Sequence, residues 1–210
     1  MKKDLIVYIA HIDDFECACY GYVLNHYKEY DKVKVITATT WPAKVPVWES
    51  NKKNFPQDLQ DKLVDINLEF GARTLWNNLD DMKDAFYKLM DFDKRFDLLS
   101  HDQNDCHTDH TACFNVAKGM YKYCNRFITI YSPSSAHFHP NFFVGLNKEQ
   151  YQIKKEGLDK YDIGKEQSYT KLGYYLQSEE HYNIGRAHVL ENYVFDDYEH
   201  YECYKILKWL

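Results

Sequence analysis

Two short clusters of histidine and aspartate, about a hundred residues apart, hold the side chains best suited to chemistry. They are His11-Ile12-Asp13-Asp14 and His107-Thr108-Asp109-His110. In each cluster ligand-type residues stand three apart (His11 and Asp14, His107 and His110), a spacing that places both on one face where a helix begins. Two imidazoles and one carboxylate make the N/O donor set of catalytic zinc, with a fourth position left for water. Zinc lowers the pKa of that water from about 15.7 to about 7, which makes hydroxide available at neutral pH. A remaining carboxylate then serves as base, and a second histidine oriented by an acid steadies a developing oxyanion. Either cluster alone reads more readily as a capped loop than as a ligand set. Both at matched positions make a site.

The elements around them supply the match. Leu5 to Ala10 is an unbroken apolar run, the pattern of a strand covered on both faces. Phe15 to Tyr27 follows as a helix with Asp13 and Asp14 at its start, and Lys32 to Thr40 is β-branched and strand-like. Trp41 to Pro56, with three prolines, reads as a long loop. Leu59, Leu63, Ile66 and Phe70 repeat at helical spacing before Gly71, with a short strand at Arg73 to Trp76 and a helix at Asp80 to Met90. Asp97 to His101 is the next strand, the second cluster opens a helix to about Tyr123, and Arg126 to Ser132 closes the alternation. A strand at Phe142 to Leu146, a helix at Lys148 to Tyr161 and a less regular, Tyr-rich tail complete one domain over residues 1–210. Such alternation predicts an α/β, Rossmann-like three-layer sandwich with a mostly parallel sheet, in the order 3-2-1-4-5 plus late additional strands. In that order the first and fourth strands are neighbours at the topological switch point. The two clusters then face each other across the crevice where ligands bind.

Bulk properties narrow the partners. The chain has 210 residues, 45% of them hydrophobic and 28% charged, with a formal charge of −6, which suits an ordinary globular protein. No Lys/Arg block is present, which argues against a nucleic-acid track. No apolar run approaches the ~20 residues that span a bilayer. Met1-Lys2-Lys3 imitates a signal-peptide start, but Asp4 interrupts it, and the expected compartment is the cytoplasm. The six cysteines form no C-x-x-C pair and read as reduced thiols. A nucleotide or flavin site would want a glycine-rich first turn, where this chain has Ala-His-Ile-Asp-Asp.

At Ala10-His11-Ile12-Asp13-Asp14-Phe15 and His107-Thr108-Asp109-His110, introduced by Asn104-Asp105, the sequence resembles the LmbE/PIG-L family of zinc deacetylases. Pro140 to Val144 is similar to the family's late strand, and Gly185 to His188 with Glu191 to Tyr193 to its C-terminal block. The resemblance implies that His11, Asp14 and His110 bind Zn2+, with Fe2+ compatible with the same set. It implies Asp13 as the base that activates water, and His107, held by Asp109, as the group that stabilises the oxyanion. The implied reaction is hydrolysis of an N-acetylated amino sugar, or a conjugate of one, to amine and acetate. Asp81, His139 and Asn141 are the candidate substrate contacts, and the sequence leaves room for a homo-oligomer.

Ile12 stands where the family usually has Pro, Phe15 where Glu is common, and no Arg occurs between Trp41 and Gly71. Two rival readings keep the same residues: a sugar-binding protein with little hydrolysis, and a non-haem Fe(II) enzyme. His26, His101, His181, His188 and His200 lack any partner pattern in the sequence.

Overall fold

The computed structural model describes residues 3–39, 41–162, 198 and 200–209. Seven strands form one sheet in the order β3-β2-β1-β4-β5-β7-β6. Strands β1 (Lys3–Ile9), β2 (Tyr30–Thr39), β3 (Leu63–Phe70), β4 (Phe96–Ser100) and β5 (Arg126–Ile130) pair in parallel. β7 (His200–Trp209) runs antiparallel between β5 and β6 (Phe142–Leu146). The expected 3-2-1-4-5 order and the neighbouring first and fourth strands are therefore present.

Strand β1 shows how the sequence builds two cores at once. Its side chains alternate between faces. Leu5, Val7 and Ile9 pack among α1 (Asp14–Ala18), α2 (Tyr20–His26), α3 (Val45–Lys52) and α7 (Lys148–Asp159), whereas Ile6 and Tyr8 pack among α5 (Leu79–Lys88) and α6 (Thr108–Lys118). Both faces are apolar because both are covered.

Four local expectations are corrected. The helical spacing of Leu59, Leu63, Ile66 and Phe70 coincides with a period-two pattern, and the latter decides the outcome. Val64, Ile66, Leu68 and Phe70 are half-buried, while Asp65, Asn67 and Glu69 are exposed along β3, preceded by a short α4 (Gln57–Gln60). Arg73 to Trp76 is accordingly no strand but a turn running into a 3-10 helix, Leu75–Asn78. The proline-rich stretch after Trp41 contains α3, whose Pro46 stands in the first turn, where its missing N–H costs nothing. The single helix expected over Phe15 to Tyr27 is two, divided at Cys19.

β7 comes from the tail that the sequence left irregular. Its anchor is a buried ion pair: Glu202 accepts from Lys154 Nζ (2.5 Å), from the Gly21 amide (2.8 Å) and from the Tyr204 hydroxyl. Lys154 also donates to the Cys17 carbonyl (3.0 Å), so β7, α7 and the helices after β1 meet at one point. A Cβ on Gly21 would come within 2.9 Å of the Glu202 carboxyl group, which explains glycine there. Glu202→Ala removes the carboxylate from a buried ammonium and is expected to cost about 3–5 kcal/mol. A urea midpoint unchanged by the substitution would remove this pair from the fold's supports.

Among the described residues no helix is long and apolar enough to cross a membrane. The resemblance noted at Gly185 to Tyr193 lies outside the described residues.

Candidate active site

Both motifs lie at the carboxyl ends of adjacent strands. His11 follows β1, and Asp14 opens α1. The turn between them is closed by the His11 amide donating to Asp14 Oδ2 (2.8 Å). His107 caps α6, its Nδ1 accepting from the Asp109 amide (3.2 Å). That bond leaves the proton of a neutral His107 on Nε2.

The side chains converge. His110 Nε2 lies 3.4 Å from Asp14 Oδ1, and His11 Nδ1 lies 3.3 Å from Asp14 Oδ2. The His11 and His110 rings are 5.5 Å apart between centroids, and those of His107 and His110 stack at 4.4 Å. Three overlapping groups hold donor atoms within 4.8 Å of one another: His11 with His107 and His110, Asp14 with His101 and His110, and His11 with Asp13 and Asp14. Every pair of the expected trio His11, Asp14 and His110 shares one of these groups.

The electrostatics suit a cation. Burial opposes charge on His11, but Asp109 and Asp14 outweigh it and raise its pKa to about 9. Burial likewise opposes charge on His110, yet Asp14 and Asp105 raise it to about 10. Asp14 is held well below the usual carboxylate range, its burial outweighed by His110 and His101. Asp13 Oδ1 and Asp109 Oδ1 are buried with no hydrogen-bond partner among the described residues. The same carboxylates that hold protons on His11 and His110 would favour a divalent ion that displaces those protons, and the unspent Asp13 Oδ1 adds a further oxygen donor.

Asp105 completes the set. It accepts from His110 Nδ1 (2.9 Å) and is itself held by Ser132 Oγ (2.5 Å) and Ser134 Oγ (2.6 Å). This carboxylate–histidine arrangement fixes the ring and leaves Nε2 for a metal. Asp105→Asn is therefore expected to weaken zinc affinity about 10–100-fold, measured by competition with a chelator. Unchanged affinity would make Asp105 a loop anchor only.

His101, which has no partner pattern in the sequence, is fully buried and stacks on His110 at 3.8 Å. Its Nε2 accepts from the Ala10 amide (3.0 Å), and burial, with the charge of His110, lowers its pKa to about 4. The same Nε2 lies 3.4 Å from Asp14 Oδ2, so the buried ring packs behind both Asp14 and His110. The signal for it was its place just after β4, the same sheet edge that carries His11.

Asp13 makes a buried ion pair with Lys44, at the N-terminus of α3. Asp109 is placed differently from expectation. Its Oδ2 lies 3.2 Å from His11 Nε2 and accepts from the Arg73 amide (2.7 Å), its hydrogen bond to His107 runs through its own backbone amide, and its carboxylate acts on that ring through charge alone. The φ of 65° at Arg73 is left-handed, a strained conformation for a non-glycine residue, and the Asp109 carboxylate holds it there.

A cleft of about 300 Å³ opens over the cluster, with Trp41, Lys44, Arg73, Cys17 and Ser134 among its walls. Its cations, Lys44 and Arg73, include the only lysine or arginine on the Trp41-to-Gly71 stretch to reach the cleft among the described residues. Asp81, His139 and Asn141 are not brought to it. Asp81 is exposed on α5, and His139 is exposed in the loop before β6. The Asn141 amide group is bonded to the backbone of Ile206 on β7 (2.8 and 3.2 Å).

No protein-family model and no curated protein matches this sequence. Solved structures do. The conserved protein TT1542 from Thermus thermophilus superposes with a TM-score of 0.67 at 19% identity, covering 99% of this chain and 96% of that one. GalB, the 4-carboxy-2-hydroxymuconate hydratase from Pseudomonas putida, gives 0.67 at 13% identity over 98% and 96%. The N,N'-diacetylchitobiose deacetylase from Pyrococcus horikoshii gives 0.65 at 12% identity over 98% and 84%. The resemblance to LmbE/PIG-L deacetylases drawn from two short motifs is thus met by the fold, which this chain shares with these proteins along nearly its whole length.

Proposed function

We propose that this chain is a metal-dependent N-deacetylase of the LmbE/PIG-L type, acting in the cytoplasm on an N-acetylated amino sugar or its conjugate. The observation that carries the reading is the convergence of His11, Asp14 and His110 beside an Asp13 whose Oδ1 is unspent. His11, Asp14 and His110 would hold zinc or iron, which when bound polarises the amide carbonyl and makes water nucleophilic near neutral pH.

The chain's own groups supply the remainder. Lys44 occupies Asp13 Oδ2, so Oδ1 is the atom that takes a proton from the attacking water. The same oxygen returns that proton to the leaving nitrogen as the C–N bond breaks, giving acetate and amine. His107, whose pKa burial lowers, stays neutral and offers Nε2–H to the carbonyl oxygen as that atom gains charge.

A hydratase shares the fold at a TM-score as high as any neighbour described above, so addition of water to a C=C bond is the competing use of these parts. Proton NMR of the metal-loaded protein with a panel of N-acetylated amino sugars separates them. Acetate should appear in step with free amine. No acetate from any member, with hydration of an enol acid instead, would replace the deacetylase reading.

A further inference from the structure

A buried carboxyl group lies beside the site without taking part in it. Glu16, on α1 two residues past Asp14, is 1% exposed. Its Oε1 accepts from Asn51 Nδ2 on α3 (2.8 Å), and the Tyr161 hydroxyl donates to the same carboxyl (3.3 and 3.4 Å to its two oxygens). Tyr161 belongs to a 3-10 helix, Lys160–Asp162, that continues α7. Asn51 is buried too. Its Nδ2 also donates to the Gly157 carbonyl of α7 (3.2 Å), and its Oδ1 accepts from Lys160 Nζ (3.2 Å). A Cβ on Gly157 would stand 3.2 Å from Asn51 Nδ2 and 3.4 Å from Glu16 Cγ, so a glycine there lets α7 come close to this junction.

The junction repeats, two turns along α3, the contact between Lys44 and Asp13. Lys44 and Asn51 are seven apart, about two helical turns, and so share one face. Asp13 and Glu16 are three apart where α1 begins and share a face as well. α3 is therefore tied to α1 twice, by Lys44 on Asp13 and by Asn51 on Glu16. Trp48 lies between the two ties, its ring edge-on to Phe15 at 5.0 Å between centroids. We propose that Glu16 is a positioning residue: by fixing α3 on α1 it seats Lys44 on Asp13 Oδ2 and so keeps Oδ1 available to the attacking water. The inference rests on the deacetylase reading for what Asp13 does.

The physical case is one of register. A lysine reaches its partner through a flexible four-carbon stem, so its seat is no better fixed than the helix that carries it. α3 has eight residues, below the length at which a helix is stable by itself. Apolar packing buries such a helix but is non-directional, and it leaves the helix free to slide. Hydrogen bonds to a buried carboxyl do not. Burying that carboxyl is costly, the donors Asn51 and Tyr161 offset the cost, and a leucine in its place would avoid it. What the carboxyl adds over leucine is direction. With the tie cut, Lys44 drifts from Asp13, and a misplacement of about 1 Å at a reacting group costs on the order of 10²-fold in rate.

The test uses the zinc-loaded full chain and the panel of N-acetylated amino sugars, and follows acetate release, bound zinc and amide hydrogen exchange over residues 41–52. Glu16→Leu cuts the tie from α1 and Asn51→Ala cuts it from α3, so one serves if the other fails to fold. Each should lower kcat about 10–100-fold, with KM within about twofold and zinc content unchanged. Each should also speed exchange over α3 about tenfold. Glu16→Gln still accepts from both donors and should hold kcat within about threefold of wild type. Lys44→Met should lose as much as Glu16→Leu, and in that background Glu16→Leu should change kcat less than about twofold. Undiminished kcat in both tie variants, an equal loss in Glu16→Gln, or an undiminished effect of Glu16→Leu on top of Lys44→Met would overturn the proposal. Exchange reports the tie without turnover. A wild type that releases no acetate, with α3 loosened by Glu16→Leu and not by Glu16→Gln, sinks the deacetylase reading and keeps the tie. Acetate from the wild type, with exchange and kcat unmoved in the variants, does the reverse.

Discussion

Asp13→Asn is expected to lower acetate release about 10²–10⁴-fold while the protein keeps its metal, because it removes a proton acceptor and not a ligand. Asparagine preserves the shape of the side chain. Its oxygen still accepts from Lys44, but no atom of it can take a proton from water. The substitution also replaces a buried ion pair by a neutral–charged contact, and both partners are nearly inaccessible, Asp13 at 3% and Lys44 at 8% exposure. Some stability is therefore lost along with activity, and the two effects must be separated. Asp13→Asn combined with Lys44→Met removes the orphaned charge. If stability returns and turnover does not, the loss belongs to the missing base. Turnover within about threefold of wild type in the single variant would end the role assigned to Asp13.

His110→Ala should have the other large effect. It deletes a ring that faces Asp14 on one side and Asp105 on the other. Metal binding should fall below detection at micromolar zinc, and activity should fall to background with it. The consequences extend beyond the ligand. Asp105 would lose the imidazole that, against the cost of burial, holds its carboxyl below the usual range, leaving Ser132 and Ser134 as its partners. His101 would lose the ring stacked upon it. Elemental analysis of the variant against wild type reads the first effect directly. A full complement of metal in His110→Ala would remove it from the ligand set and point to the alternative group of His11, Asp13 and Asp14.

How much of this was legible in the sequence depends on whether the cause is local. β1 was legible because six successive apolar residues, Leu5 to Ala10, have no other stable use than a strand buried on both faces. The site was legible because the two motifs end adjacent parallel strands, and such strand order follows from alternation and handedness. β3 was not, since Leu59, Leu63, Ile66 and Phe70 satisfy a helical spacing while Val64, Ile66, Leu68 and Phe70 satisfy a strand's, and pairing with β2 decides between them. β7 was hidden for a similar reason. Its paired residues on β5 and β6 lie between 54 and 83 positions away, and its anchor Glu202 meets Lys154 only in three dimensions. Lys44 was passed over because a lone lysine in a proline-rich stretch carries no pattern until α3 turns it onto Asp13. Asp81, His139 and Asn141 have no spacing that ties them to either motif, and the structure places them away from the cleft.

The most direct test strips the purified protein of metal with a chelator and then restores zinc in steps, with bound metal and acetate release measured on the same samples. Activity should vanish on chelation and return in proportion to metal, reaching its maximum near one ion per chain. Undiminished turnover by metal-free protein, or a chain that takes up no zinc at all, would contradict the metal-dependent deacetylase and leave only the shared fold.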